Sequence, residues 1–133
     1  MATHADADLI LKLYDLRREE ICREARKFFI NWSPVTGDEV KAILNDGVKN
    51  ENAYIRQITT YWEMAFSLVN TGAIDATLFS KNCGEGILCM VKCQYLAKKF
   101  PGIWTRTMPE VEAFVASNES ARARMELMQK RFV

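Results

Sequence analysis

The stretch Asn52–Asn70, NAYIRQITTYWEMAFSLVN, decides the fold. At 100° per residue, Tyr54, Ile55, Ile58, Tyr61, Trp62, Ala65, Phe66, Leu68 and Val69 spread over most of the circumference. Arg56, Thr60, Glu63, Ser67 and Asn70 keep only a narrow polar stripe. A helix apolar on so many sides is buried on several of them. The chain around it therefore reads as all-α, with further helices as the wrapping.

Working outward, the same periodicity recurs. A first helix is expected from about Asp6 to Asn31, started by Thr3 or Asp6. One face carries Ile10, Leu13, Tyr14, Ile21, Ala25, Phe28 and Trp32. Ser33-Pro34 ends it, because the residue before proline is pushed out of the helical region. Thr36-Gly37-Asp38-Glu39 has the capping-box pattern and opens a short helix with Val40, Ile43 and Leu44. Beyond the central helix, Gly72 supplies a left-handed cap and Asp75 starts a short amphipathic piece. A helix over about 84–99 faces inward through Ile87, Leu88, Val91, Tyr95 and Leu96. Phe100-Pro101-Gly102 stops it. Thr107-Met108-Pro109-Glu110 is a second capping-box pattern, and the helix it opens runs near Arg131 with a break expected at Ser117-Asn118. The expectation is one domain over residues 1–133, an antiparallel bundle of five to six helices.

Composition agrees. The 133 residues are 49% hydrophobic and 26% charged, ordinary values for a globular domain, and 6 Gly with 3 Pro are too few for many β turns. Eighteen basic and 17 acidic residues give +1, so no whole-chain field attracts nucleic acid or an anionic membrane. Residues 92–133 are the exception: eight basic groups against Glu110, Glu112, Glu119 and Glu126 leave +4, a candidate docking face for an acidic protein partner. The N-terminus lacks the basic start and apolar run of a signal peptide, and no segment offers the ~18 apolar residues of a membrane span. A cytoplasmic location with reduced thiols is the expectation.

Chemical motifs are sparse. Cys83-x5-Cys89-x3-Cys93 lacks the close cysteine pair of a zinc knuckle, and His4 is the single histidine, so neither a metal nor another cofactor is expected. Gly72-Ala73-Ile74-Asp75 imitates the middle of a calcium loop, but the flanking ligand positions hold Ser67, Val69, Thr71 and Leu78 rather than carboxylates. No phosphate-loop or dinucleotide fingerprint occurs. The polar feature with most promise is internal: Arg17 and Glu24 sit within the apolar arc of the first helix, and Arg56 and Glu63 lie near Tyr61 and Trp62 on the central one. Buried charges need partners. These side chains could form an interhelical network, or a pocket in which Tyr14, Arg17, Glu24, Tyr61, Trp62 and Glu63 bind a small carboxylate or phosphate.

Leu13-Tyr14-Asp15-Leu16-Arg17-Arg18-Glu19, and then Tyr61-Trp62-Glu63 followed by Gly72-Ala73-Ile74-Asp75 and Leu78-Phe79, resemble a group of uncharacterised bacterial all-helical proteins. The resemblance spans about residues 8–115. Some members of that group carry a membrane-spanning segment. It implies a helical fold in which an aromatic-rich helix ends at a Gly-x-Ile-Asp corner, and it carries over no functional residue.

The functional expectation is a noncatalytic protein that works by self-association or protein–protein contact. Phe28, Phe29, Trp32, Trp62, Trp104, Met108, Met125, Met128 and Phe132 look like more bulk than one small core can hold. Arg122, Met125, Met128 and Phe132 on the last helix are the expected homo-oligomer interface. The alternative is the anion-binding bundle centred on Arg17.

Overall fold

A computed structural model describes residues 1–132; Val133 lies outside them. The chain runs through α1 (His4–Arg17), α2 (Glu20–Asn31), α3 (Gly37–Leu44), α4 (Asn50–Asn70), α5 (Ala76–Asn82), α6 (Glu85–Lys99), α7 (Pro109–Ser117) and α8 (Glu119–Gln129), closing in a 3-10 turn at Lys130–Phe132. No strand occurs among the described residues.

Eight helices exceed the five to six expected. Part of the excess is a break that sequence periodicity runs through. Both carboxylate oxygens of Glu19 accept backbone bonds, from Ile21 N and Cys22 N at 3.0 Å each, so this residue caps α2 and separates it from α1. The break turns α2 about its own axis relative to a continuous helix. Cys22, Ala25 and Phe29 face inward, while Ile21 stands 55% exposed. The single apolar face expected from Ile10 to Trp32 is corrected to two shorter faces. At the other end, Asn118 Oδ1 accepts from Ala121 N at 2.9 Å and starts α8 where the break was expected.

Two helices carry the core. On α4, Ile55, Ile58, Trp62, Ala65, Phe66 and Val69 are buried. On α6, burial runs without interruption from Gly86 to Cys93 and resumes at Leu96. Trp62, Phe66, Phe79 and Phe114 pack edge to face; the Phe66 ring centre lies 4.8 Å from Phe79 and 5.4 Å from Phe114. Such aromatic pairs are worth about 1 kcal/mol each beyond the area they bury. Gly72 (φ 87°) and Gly102 (φ 77°) make the two left-handed corners after α4 and α6.

The expected aromatic surplus divides, since Phe28 and Trp32 stay half-exposed. Phe29, Trp62, Trp104 and Met108 are buried, and Met125, Met128 and Phe132 pack against the same core. The last-helix stripe therefore spends much of its surface within its own chain. Arg122 is exposed and donates to Ala116 O at 2.9 Å.

Candidate functional site

Several charged side chains in this bundle bond the ends of other helices. A helix leaves its last carbonyls and first amides without internal partners, and its dipole favours cations at the C-terminal end and anions at the N-terminal end. Arg124 Nη1 donates to Ser80 O at 2.9 Å and Arg17 Nη2 to Asn82 O at 3.4 Å, both at the end of α5. Lys92 donates to Trp32 O and, at 3.5 Å, to Ile30 O at the end of α2; Lys99 reaches Pro34 O at 3.0 Å. Asn52 Nδ2 takes Ile43 O and Leu44 O at the end of α3, with Arg56 Nε steadying its Oδ1 at 2.8 Å. One side-chain ion pair, Arg26–Glu85, occurs among the described residues.

The start of α7 shows the same device with the opposite sign. Glu63 Oε1 and Oε2 accept from Glu110 N at 3.0 Å and Val111 N at 3.1 Å. The Thr107 capping box is corrected here: Met108 occupies the cap position without a side-chain bond, and α4 provides the acceptor instead.

This usage divides the expected pocket. Tyr14, Arg17, Tyr61 and Trp62 do come together. The Arg17 guanidinium lies 4.9 Å from the centre of the Tyr14 ring and 5.5 Å from that of Trp62, and the Tyr61 hydroxyl donates to Leu13 O. Burial pushes the Tyr61 hydroxyl up to about 12, against the pull of Arg17. Cys83, beside the same guanidinium, is likewise raised by burial. Glu63 sits at α7, Arg56 at the α3 end, and Glu24 on the exposed side of α2. The four-charge network does not assemble.

Glu24 belongs to a different feature. Between α2 and α4 lies an open groove of about 400 Å3 lined by Glu24, Lys27, Phe28, Asn31, Trp32 and Tyr54. Phe28 stacks on Trp32 at 5.5 Å and meets Tyr54 at 6.0 Å, making a half-buried aromatic floor with a polar rim of both signs. Phe28 and Trp32 read as core residues in an unbroken first helix; their half-exposure follows from the break at Glu19, which keeps Ala25 inward but places Cys22 and Phe29 there in their stead.

Lys92 escapes a reading by motif, although it is the one cation in the apolar run Gly86–Cys93 and that isolation is a usable signal. It is 3% exposed, and burial lowers its ammonium to about 8, with Lys99 and Arg131 adding repulsion. Between about pH 8 and 10.5 the unfolded chain keeps a proton on Lys92 that the folded chain has released, so this group's contribution to stability rises across that window. Below pH 8 the cost of burying the charge is fully present. The thiols of Cys22, Cys83, Cys89 and Cys93 are raised by burial and act in the opposite direction as pH rises. The Lys92 component is therefore read as a difference. In urea unfolding under reducing conditions, wild type should gain on the order of 2 kcal/mol on Lys92→Met between about pH 7 and 10. A constant gap would show that Lys92 titrates normally.

The helices and their charged ends define an all-helical bundle protein with an open aromatic groove on one side. The chain belongs to the family described as Domain of unknown function (DUF4760), whose profile matches residues 2–99. That match covers α1 through α6; α7 and α8 lie beyond it. No curated protein and no solved structure matches the chain. No helix of the described residues is long and apolar enough to cross a membrane.

Proposed function

We propose that this chain is a noncatalytic helical protein that acts by self-association through the α2–α4 groove. The observation that carries the reading is the floor of Phe28, Trp32 and Tyr54 inside a rim of Glu24, Lys27 and Asn31. An aromatic centre with a polar margin is the anatomy of an association hot spot. A two-fold contact must be self-complementary. Glu24 and Lys27 lie three residues apart on α2, so two copies crossing antiparallel there can set each Glu24 against the other copy's Lys27. This surface replaces the last-helix stripe, whose Met125, Met128 and Phe132 are engaged at home. The basic C-terminal third offers an acidic partner less than its +4 suggests, since Lys92, Lys99, Arg106, Arg122 and Arg124 all donate to acceptors of the chain itself.

The rim supplies the test. Glu24→Lys and Lys27→Glu, each alone, should weaken the dimer about tenfold, and the double swap should restore it; equilibrium sedimentation reads all three. Equal affinity in every variant would remove the antiparallel α2 contact.

The anionic-ligand alternative keeps one supporting observation. Arg17 is half-buried, with two aromatic rings and a backbone carbonyl as its partners rather than a carboxylate. Thermal-shift titration with inorganic phosphate and with acetate tests it; unchanged melting for both would end that reading.

A further inference from the structure

Between the end of α3 and the loop joining α6 to α7 lies a hollow of about 520 Å3, lined by Leu44, Asn45, Ile103, Thr105 and Arg106. Its size is that of a small-molecule site. Arg106 is the single charged residue of this lining and is half-buried. Two bonds hold it in place: Trp104 Nε1 donates to its carbonyl at 2.9 Å, and its Nη1 donates to Thr59 Oγ1 at 3.2 Å. Trp104 and Thr59 are both buried, so the core fixes backbone and guanidinium together. Unlike Arg17, Lys92 and Arg124, this cation closes no helix end; its acceptor is a hydroxyl. The one side-chain ion pair among the described residues is Arg26–Glu85, which leaves Arg106 without a carboxylate there. Thr59 engages one of the five N–H donors that an arginine carries.

The surroundings suit an anion. Asn45 and Thr105 bring an amide and a hydroxyl, and none of the five lining residues is acidic. The carbonyls that end α3 would repel negative charge, but Asn52 Nδ2 already covers Ile43 O at 2.9 Å and Leu44 O at 3.2 Å. Asp46, the nearest acid in sequence, commits its Oδ1 to Val48 N at 3.1 Å. Arg56 donates to Gly47 O at 3.4 Å and adds a second cation near the same end of α3. Leu44 and Ile103 contribute apolar surface to the hollow.

We propose that this hollow binds a small soluble phosphate monoester, with its phosphoryl oxygens on Arg106, Asn45 and Thr105 and its organic part against Leu44 and Ile103. A planar guanidinium offers phosphate two parallel N–H donors. One that the core already holds loses little freedom on binding. The site is separate from Arg17 and from the α2–α4 groove, so it stands or falls apart from both.

Amide-resolved 15N NMR of the full chain, titrated with inorganic phosphate and with phenyl phosphate, tests it. Resonances of residues 44–46 and 103–106 should move, and phenyl phosphate should bind about tenfold more tightly through its apolar contact. Arg106→Gln should weaken both ligands about tenfold. Thr59 Oγ1 keeps its own bond to Ile55 O at 2.6 Å in that variant. Thr105→Val, at an exposed position, should weaken them several-fold and serves even if Arg106→Gln fails to fold. Unmoved resonances at high millimolar ligand, or unchanged affinity in folded Arg106→Gln, would overturn the proposal. Shifts confined to Tyr14, Arg17 and Tyr61 would overturn it in favour of the Arg17 pocket. Cosedimentation with phosphatidic acid vesicles without any response to phenyl phosphate would overturn the soluble ligand.

Discussion

Gly86→Ala should destabilise the protein by about 3 kcal/mol and lower its melting temperature by roughly 10 °C. On propensity alone the change would help, since alanine in a helix is worth about 1 kcal/mol over glycine. Packing reverses the sign. A Cβ at Gly86 would stand 2.3 Å from Phe66 Cε1 and 2.9 Å from Trp62 Cε3. Neither ring can yield: Trp62 and Phe66 are each 1% exposed, and Phe66 is held by Phe79 and Phe114. Relief requires α6 to move away from α4 and loosen the contact on which the core is built. Differential scanning calorimetry checks this, and unchanged or higher melting would mean the two helices sit farther apart than described. Gly84 makes a useful comparison. Its hypothetical Cβ meets Arg124, a flexible side chain that can swing aside at the expense of its bond to Ser80 O. Gly84→Ala should cost clearly less than Gly86→Ala.

Glu63→Ala should cost about 3 kcal/mol, with the loss concentrated in α7. Two charge-assisted bonds disappear and the amides of Glu110 and Val111 are left without acceptors at the start of a helix whose Val111, Phe114 and Val115 are buried. Glu63→Gln keeps one carbonyl oxygen and should lose roughly half as much. Amide hydrogen exchange resolves where the damage falls: protection should drop across residues 109–117 before it drops in α6. If both regions lose protection equally, Glu63 supports the whole core rather than the α7 start.

These two residues also show what the sequence can and cannot disclose. The central helix, the Gly72–Asp75 corner and the break at Asn118 are legible because their causes are local. Each is an apolar period, a left-handed glycine or a side chain capping an amide within three residues. Glu63 is visible as an acid on the narrow polar stripe, but its partners lie 47 and 48 residues away, and Thr107 offers a plausible local cap in its place. Glu19 hides for a different reason. Glutamate is not among the favoured N-cap residues, so nothing in Arg17-Arg18-Glu19-Glu20 marks a helix boundary. The face assigned between Glu19 and Trp32 then inherits a rotation that misplaces Ile21, Phe28 and Trp32 while keeping Ala25 inward. The same error conceals the groove, since an unbroken helix turns Phe28 and Trp32 into the core. Arg17 with Tyr14, Tyr61 and Trp62 is recoverable because an arginine in an apolar arc must find aromatic faces or carbonyls wherever it lands.

The groove reading of function also accounts for an asymmetry in the bundle. Arg17, Glu63, Lys92 and Arg124 close helix ends within the chain, whereas Glu24 and Lys27 are exposed beside the half-buried aromatic rings of the groove. Burying these three rings against a second copy would remove half-exposed aromatic surface that folding leaves. Equilibrium sedimentation of the wild-type chain at high micromolar concentration tests this most directly. Self-association predicts a mass approaching twice the 15.3 kDa of one chain, reduced toward the single-chain value by Glu24→Lys. A wild-type mass of 15.3 kDa across the whole concentration range would contradict it.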